Sequence, residues 1–226
     1  MRHHPRSLML FAAGFGTRMG TLTANRPKPL IPVAGRALID HALDLADAVD
    51  IPTRVVNLHY HADQLAAHLA GRNVALSRED PILETGGGLR AALPLLGNGP
   101  VLTLNTDAVW TGANPLAQLL AAWDPDRMDG LLLTLPADSM GARSDFVMDA
   151  AGRLTRAKGA PGVAYLGAQI IRTDGLAGFP DTVFSLNLLW DRMISDGRLF
   201  GLTHQGNWCD VGTPDGITRA EAMLNV

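Results

Sequence analysis

Leu8-Met9-Leu10-Phe11-Ala12-Ala13-Gly14-Phe15-Gly16-Thr17-Arg18-Met19, closed by Arg26-Pro27-Lys28-Pro29-Leu30, is the stretch that decides the fold. An apolar run that shrinks to alanine and opens into glycine reads as a buried parallel strand feeding a loop. Glycines there let backbone N–H groups converge, and converging amides bind anions. The loop then supplies two kinds of cation. Arg18 is a planar fork suited to phosphate oxygens, and Lys28 is a compact charge fixed between two prolines. Phosphate is the expected guest.

The spacing fits neither the phosphate-binding loop of ATPases, which needs a lysine directly after its second glycine, nor the dinucleotide fingerprint, which needs a third glycine. The combination Ala12-Ala13-Gly14-x-Gly16-Thr17-Arg18 with Pro27-Lys28-Pro29-Leu30 instead resembles the sugar-phosphate nucleotidyltransferases that make NDP-sugars.

Composition narrows the alternatives. With 226 residues, 47% of them hydrophobic, the chain suffices for one substantial core, so a single domain over 1–226 is expected. A net charge of -3 offers no general basic field, so nucleic acid is not an expected partner and any phosphate site is local. The single cysteine, Cys209, excludes an intramolecular disulfide framework. Met1-Arg2-His3-His4-Pro5-Arg6 leads into too short an apolar run for a signal peptide, and no stretch approaches the roughly 20 apolar residues of a spanning helix. No membrane partner and a cytoplasmic location are expected. Of the 19 basic residues only Lys28 and Lys158 are lysines.

Strand and helix signals alternate along the chain, the signature of a parallel sheet covered on both faces. Residues 36–49 predict a helix and 54–58 a strand; a helix carrying Leu65 and Leu69 follows, then a strand at 73–77. Leu83-Glu84-Thr85-Gly86-Gly87-Gly88 reads as a glycine loop before a helix through Leu89 and Ala92. Residues 100–107 form the clearest buried strand, its polar tip Asn105-Thr106-Asp107 pointing into a cleft. A helix at 116–123 and a strand at 130–135 precede a β-hairpin over 144–149 and 153–156. A strand at 163–171 and helices at 184–194 and 214–224 complete the reading. His59 and His61 share a face, but with no neighbouring third ligand they read as loop residues at the sheet rim.

The resemblance covers nearly the whole chain. It implies a single-domain, Rossmann-like, open, mostly parallel α/β sheet with helices on both faces and an added hairpin, without the β-helical repeat that some relatives carry. Asn105-Thr106-Asp107 matches a family Asn-x-Asp whose middle residue is usually glycine, and Trp208-Cys209-Asp210-Val211-Gly212-Thr213 matches its Trp-x-Asp-Val-Gly-Thr. By that likeness Asp107 and Asp210 hold Mg²⁺, Arg18 and Lys28 are catalytic, and Leu10, Ala12, Ala13, Gly14, Gly16, Thr17, Glu84, Gly87 and Asn105 bind the nucleotide. Lys158 and Gly167 fall where the family holds the sugar phosphate, with Asp145 beside them. Arg143, at the mouth of the expected hairpin, is the candidate cation for a sugar carboxylate. The implied substrates are an NTP, UTP favoured, and a sugar 1-phosphate. Within the family the chain looks most like the N-acetylmuramate 1-phosphate uridylyltransferases of cell-wall recycling. The alternatives are mannose-1-phosphate guanylyltransferases and a non-catalytic nucleotide-sugar sensor on the same fold.

Overall fold

The computed structural model describes residues 4–225. Met1, Arg2 and His3 of the N-terminal stretch read above lie outside the described residues. The chain opens with β1 (Ser7–Phe11), passes through short 3-10 turns at Thr17–Thr23 and Lys28–Leu30, and makes a small ribbon from β2 (Pro32–Val33) and β3 (Arg36–Ala37). Then come α1 (Leu38–Asp47), β4 (Thr53–Leu58), α2 (Ala62–His68), β5 (Ala75–Arg78), α3 (Glu84–Leu96) and β6 (Pro100–Asn105). β7 (Ala108–Gly112), α4 (Pro115–Ala122), β8 (Gly130–Pro136), β9 (Phe146–Met148), β10 (Leu154–Arg156) and β11 (Val163–Arg172) follow. The remainder is α5 (Asn187–Ser195), β12 (Leu199–Thr203), β13 (Gly206–Asp210) and α6 (Pro214–Leu224).

The main sheet runs β5-β4-β1-β6-β11-β8-β12, and the hairpin β9-β10 takes over from β6 along the same edge of β11. β1, β4, β5 and β6 pair in parallel, as do β8 and β12; β11 runs against β6, β8 and β9, and β10 against β9. All strands of this sheet except β10 and β11 therefore point one way, the mostly parallel α/β sheet expected from the sequence.

Alternation along the central strands fills two cores. Leu8, Leu10, Val56, Leu58, Leu102 and Leu104 face Ile39, Leu43, Leu65, Leu116 and Leu119 of α1, α2 and α4. Met9, Val55 and Val101 face Leu89, Ala92, Leu189 and Trp190 of α3 and α5. Because both faces are buried, these strands read as continuous apolar runs.

Two expected boundaries differ. The three glycines 86–88 are not a loop: α3 begins at Glu84 and contains them. A Cβ at Gly86 would lie 2.5 Å from the Phe184 ring, and one at Gly87 2.3 Å from the Thr182 carbonyl oxygen. The helix start is thus pressed against the 182–184 backbone, and the Gly86 and Gly87 amides donate to the Phe184 carbonyl at 2.9 and 3.0 Å. That bond also explains why the helix expected from 184 starts only at Asn187: Phe184 is engaged by α3 and by Leu83 in extended fashion. β7, its pairing with β13 and the edge strand β12 have no counterpart in the sequence reading, which places Asp210 on a strand but without a partner.

Candidate active site

The cavity lies where open α/β sheets place ligands, beyond the C-terminal ends of β1, β4 and β6. It measures about 220 Å³ and is lined by Phe11, Ala12, Ala13, Gly14, Lys28, Pro29, Asn57, Glu79, Ile82, Glu84, Thr85, Asn105, Thr106 and Asp107.

Lys28 is the cation at its floor. Pro27 and Pro29 flank it in the 3-10 turn, it is only 8% exposed, and its Nζ donates to Asp107 Oδ2 at 2.7 Å. Gly16 makes this possible: its φ is +64°, and a Cβ there would sit 2.9 Å from the Lys28 Cβ. Gly16 therefore seats the lysine stem as well as turning the loop. A buried ion pair is weak evidence for stability because desolvation offsets its attraction, so a pair at a cavity floor calls for a functional reading.

Asp107 and Asp210, more than a hundred residues apart, meet through the β7–β13 ribbon. Asp210 pairs with Ala108 across the ribbon, and the Val211 amide donates to the Asp107 carbonyl at 2.8 Å. Burial, and then the Asp107 charge, push the Asp210 carboxyl above the usual carboxylate range; Lys28, Arg18 and the Gly212 amide oppose the rise. Arg18 reaches the same spot, since a Cβ on Gly212 would fall 2.4 Å from Asp210 Oδ2 and 2.8 Å from an Arg18 guanidinium nitrogen. One ammonium, one guanidinium and two carboxylates thus gather at one end of the cavity. Among the described residues no group of three or more His, Cys, Asp or Glu side chains surrounds a metal position. Two hard carboxylates held together against their repulsion do fit Mg²⁺, which keeps water and substrate phosphates for its remaining positions.

Other expectations land differently. Ala12, Ala13, Gly14, Glu84 and Asn105 line the cavity. The Ala12 amide, however, is taken by Asn57 Oδ1 at 2.7 Å and is not open to a phosphate. Leu10 is wholly buried in the core, where its side chain cannot meet a ligand, and Thr17 is exposed on the loop outside the cavity lining. Gly87 packs on the Thr182 carbonyl and does not line the cavity. Gly167, at φ +86° in the bulge of β11, makes room for the Asn105 side chain, whose atoms would lie 2.8 to 2.9 Å from a Cβ, and it does not line the cavity. Asp145 braces the same strand by accepting from the Tyr165 amide at 2.9 Å. Arg143 and Lys158 are exposed on loops flanking the hairpin and do not line the cavity. Thr106, where glycine was the expected type, is buried, and its Oγ1 donates to the Phe11 carbonyl at 2.8 Å, fastening the ends of β6 and β1. His59 and His61 contact the Glu79 and Ala24 carbonyls and gather no metal ligands.

Sequence reasoning missed Asn57 and Glu79, both buried in the cavity wall. The available signal was a polar residue inside the apolar run Val55-Val56-Asn57-Leu58 and an acid directly after β5.

The arrangement suits a phosphate ester at the charged end, with Phe11, Pro29 and Ile82 adding apolar lining. Comparison with known proteins agrees. Residues 8–140 match the MobA-like NTP transferase domain. The chain is 44% identical to the N-acetylmuramate alpha-1-phosphate uridylyltransferase of Caulobacter vibrioides over 99% of both chains, and 32% identical to the protein of that name from Neisseria meningitidis serogroup B over 95% and 96%. Among solved structures, HddC from Yersinia pseudotuberculosis complexed with GMP-PN superposes with a TM-score of 0.80 at 18% identity, covering 97% of this chain and 99% of that one. A UDP-glucose pyrophosphorylase complexed with UDP-glucose gives 0.81 at 14% identity, covering 98% of each. By sequence over most of its length and by fold over nearly all of it, the chain belongs to the MobA-like NTP transferase family.

Proposed function

We propose that this chain transfers UMP from UTP to N-acetylmuramate α-1-phosphate, releasing pyrophosphate and UDP-N-acetylmuramate. The observation that carries the reading is the 44% identity, end to end, with a protein of that name, joined to a cavity whose charged end holds Arg18, Lys28, Asp107 and Asp210 together.

The reaction sets an anionic sugar-phosphate oxygen against an anionic α-phosphorus, so charge is the obstacle and no protein nucleophile is needed. Asp107 and Asp210 would hold Mg²⁺, which when bound neutralises phosphate charge and orients the reacting groups. Lys28, kept compact by its prolines, sits where the phosphates being joined need a cation. Arg18, exposed on the glycine loop, serves the leaving pyrophosphate. We take the whole chain as one nucleotidyltransferase unit working in the cytoplasm. Among the described residues no helix is long and apolar enough to cross a membrane.

Pyrophosphate release tests the proposal, with UTP or GTP offered against N-acetylmuramate, N-acetylglucosamine, glucose and mannose 1-phosphates. Mg²⁺-dependent turnover fastest with UTP and N-acetylmuramate 1-phosphate is expected. Preferred use of GTP with mannose 1-phosphate, or no turnover with any pair, refutes it.

A further inference from the structure

The loop that carries Arg18 has little burial to hold it. Within residues 14–26 only Met19 and Thr23 are buried, while Thr17, Arg18, Gly20, Thr21 and Leu22 are exposed. The turn kinks at Gly20, where φ is +58°, and open space lies where a Cβ would stand at Gly14 and Gly20. A segment with so few buried contacts stays at the low-stability end of a fold unless groups outside it restrain it. Three such groups come from α2 and the turn before it. Tyr60 Oη donates to the Thr23 carbonyl at 3.0 Å, His61 Nε2 to the Ala24 carbonyl at 3.4 Å, and Gln64 Nε2 to the Asn25 carbonyl at 3.0 Å, so three successive carbonyls of the loop are taken. Phe15, 45% exposed, meets the His59 ring edge-on at 5.2 Å and the Tyr60 ring at 5.7 Å, adding an apolar contact on the same side.

The Tyr60 bond differs from the other two in landing on a residue that reaches further. Thr23 is 4% exposed, and its hydroxyl proton is shared between the Gly16 carbonyl at 3.1 Å and the Gly20 carbonyl at 3.2 Å. These two glycines flank Arg18, so the Thr23 hydroxyl ties together both ends of the span that presents the guanidinium. Gly16 is also pressed between Thr23 and Lys28: a Cβ there would lie 3.0 Å from Thr23 Cγ2 and 2.9 Å from the Lys28 Cβ. One path of contacts thus runs from Tyr60 through Thr23 to Gly16, and from Gly16 to the stem of Lys28 and the span of Arg18.

We infer that Tyr60 is a positioning residue for nucleotidyl transfer: by way of Thr23 it fixes the Gly16–Gly20 span and, with it, the places of the Arg18 and Lys28 cations. Tyr60 does not line the cavity, so it acts through the loop and not on the reacting groups. The inference rests on the reading that those two cations serve the phosphates. Its expected size follows from the bond. A neutral hydrogen bond that orders a loop is worth about fivefold in the population of the ordered state, and catalytic groups misplaced by about 1 Å cost about 10²-fold, so the loss in kcat lies between those limits.

A double-mutant cycle tests it. Tyr60→Phe keeps the ring against Phe15 and removes only the hydroxyl; Thr23→Val keeps the shape of the side chain and removes its bonds to Gly16 and Gly20. For wild type, both single variants and the double, kcat and KM are measured with the substrate pair that wild type turns over fastest, beside melting temperatures and hydrogen exchange across residues 15–26. Each single variant should lower kcat about fivefold or more, leave KM for the sugar phosphate within about twofold, lower the melting temperature by no more than about 3 °C and speed exchange across 15–26. The double should fall no further than the worse single, because the two bonds lie in series on one path, whereas independent effects would multiply. Unchanged kcat in Tyr60→Phe, a lowered melting temperature with unchanged kcat, unchanged exchange across 15–26, or a double whose loss is the product of the singles overturns the inference. Wild type that transfers nothing to any sugar phosphate refutes the proposed reaction, and exchange alone then decides the path: faster exchange across 15–26 in both single variants upholds it, and unchanged exchange overturns it.

Discussion

Gly212→Ala is the most economical probe of the charged end. The glycine is buried and its φ lies outside the left-handed region, so the backbone accepts alanine and the perturbation is one methyl group. That methyl would lie 2.4 Å from Asp210 Oδ2 and 2.8 and 3.1 Å from two atoms of the Arg18 guanidinium. An ordinary contact needs about 1 Å more, so the carboxylate and the guanidinium must both shift by about that distance. Misplacing catalytic groups by about 1 Å costs about 10²-fold in rate, or ~2.7 kcal/mol at 1.36 kcal/mol per decade. Stability should change far less, because the displaced atoms are the ends of flexible side chains, one of them exposed. Steady-state kcat/KM with UTP and N-acetylmuramate 1-phosphate, beside a thermal melt, measures both. A variant within twofold of wild type in kcat/KM would show that Asp210 and Arg18 take no part in the chemistry.

Lys28→Arg should lower kcat about 10²-fold or more, because the longer fork cannot follow the lysine path past Gly16 and between the prolines to Asp107 Oδ2; unchanged kcat/KM would count against a positional role. Gly14→Ala should leave the melting temperature unaltered, since nothing lies within 4 Å of a Cβ there, while raising KM for UTP; an unchanged KM would mean that no phosphate approaches this loop closely. His204, 4% exposed, has its imidazole held below the ordinary 6.5, chiefly by burial. The unfolded chain therefore takes up its proton first as pH falls below about 6.5, so this residue's contribution is intact above that value and is lost on the way down to the folded pKa. His204→Gln should flatten the fall in melting temperature between about pH 7 and pH 5, and an identical fall in both proteins would refute the assignment.

The central strands were legible because a strand buried on both faces has to be apolar throughout, and β1, β4, β6, β8 and β11 each carry such a run. The start of α3 was not. Glycine disfavours helix by about 1 kcal/mol per residue, and three in a row argue for a loop until the Thr182 and Phe184 backbone, about a hundred residues on, occupies the space their side chains would need. The site divides in the same way. Arg18, Lys28, Asp107 and Asp210 could be picked out by residue type within motifs, whereas the bonds of Asn57 to Ala12 and to Glu79 join residues 45 and 22 positions apart, and no local pattern announces them. Arg143, read from its place beside the hairpin, and Lys158, read from likeness to relatives, illustrate the converse: neither lines the cavity.

The β7–β13 ribbon explains how residues from the middle and the end of the chain come to share one charge cluster. Asp107 immediately precedes β7 and Asp210 ends β13, so their meeting depends only on antiparallel register. A slip of one residue would turn Asp210 to the other face of the ribbon. Register is held at several points away from the cavity. Trp208 lies opposite Trp110, and the His204 ring meets Trp110 edge-on at 5.1 Å. Gln118 of α4 accepts from the Gln205 amide at 2.8 Å, so its amide nitrogen is the donor to His204 Nδ1 at 2.9 Å. That leaves the neutral ring with its proton on Nε2, beside the Thr111 and Asn207 backbone. Gly112 and Gly206 let the two strands close at the far end, where a Cβ on Gly206 would lie 2.1 Å from the Thr111 carbonyl oxygen. The proposed chemistry thus needs one carboxylate from each strand at the same end of a two-stranded ribbon, and aromatic packing together with one neutral histidine fixes the register that brings those carboxylates together.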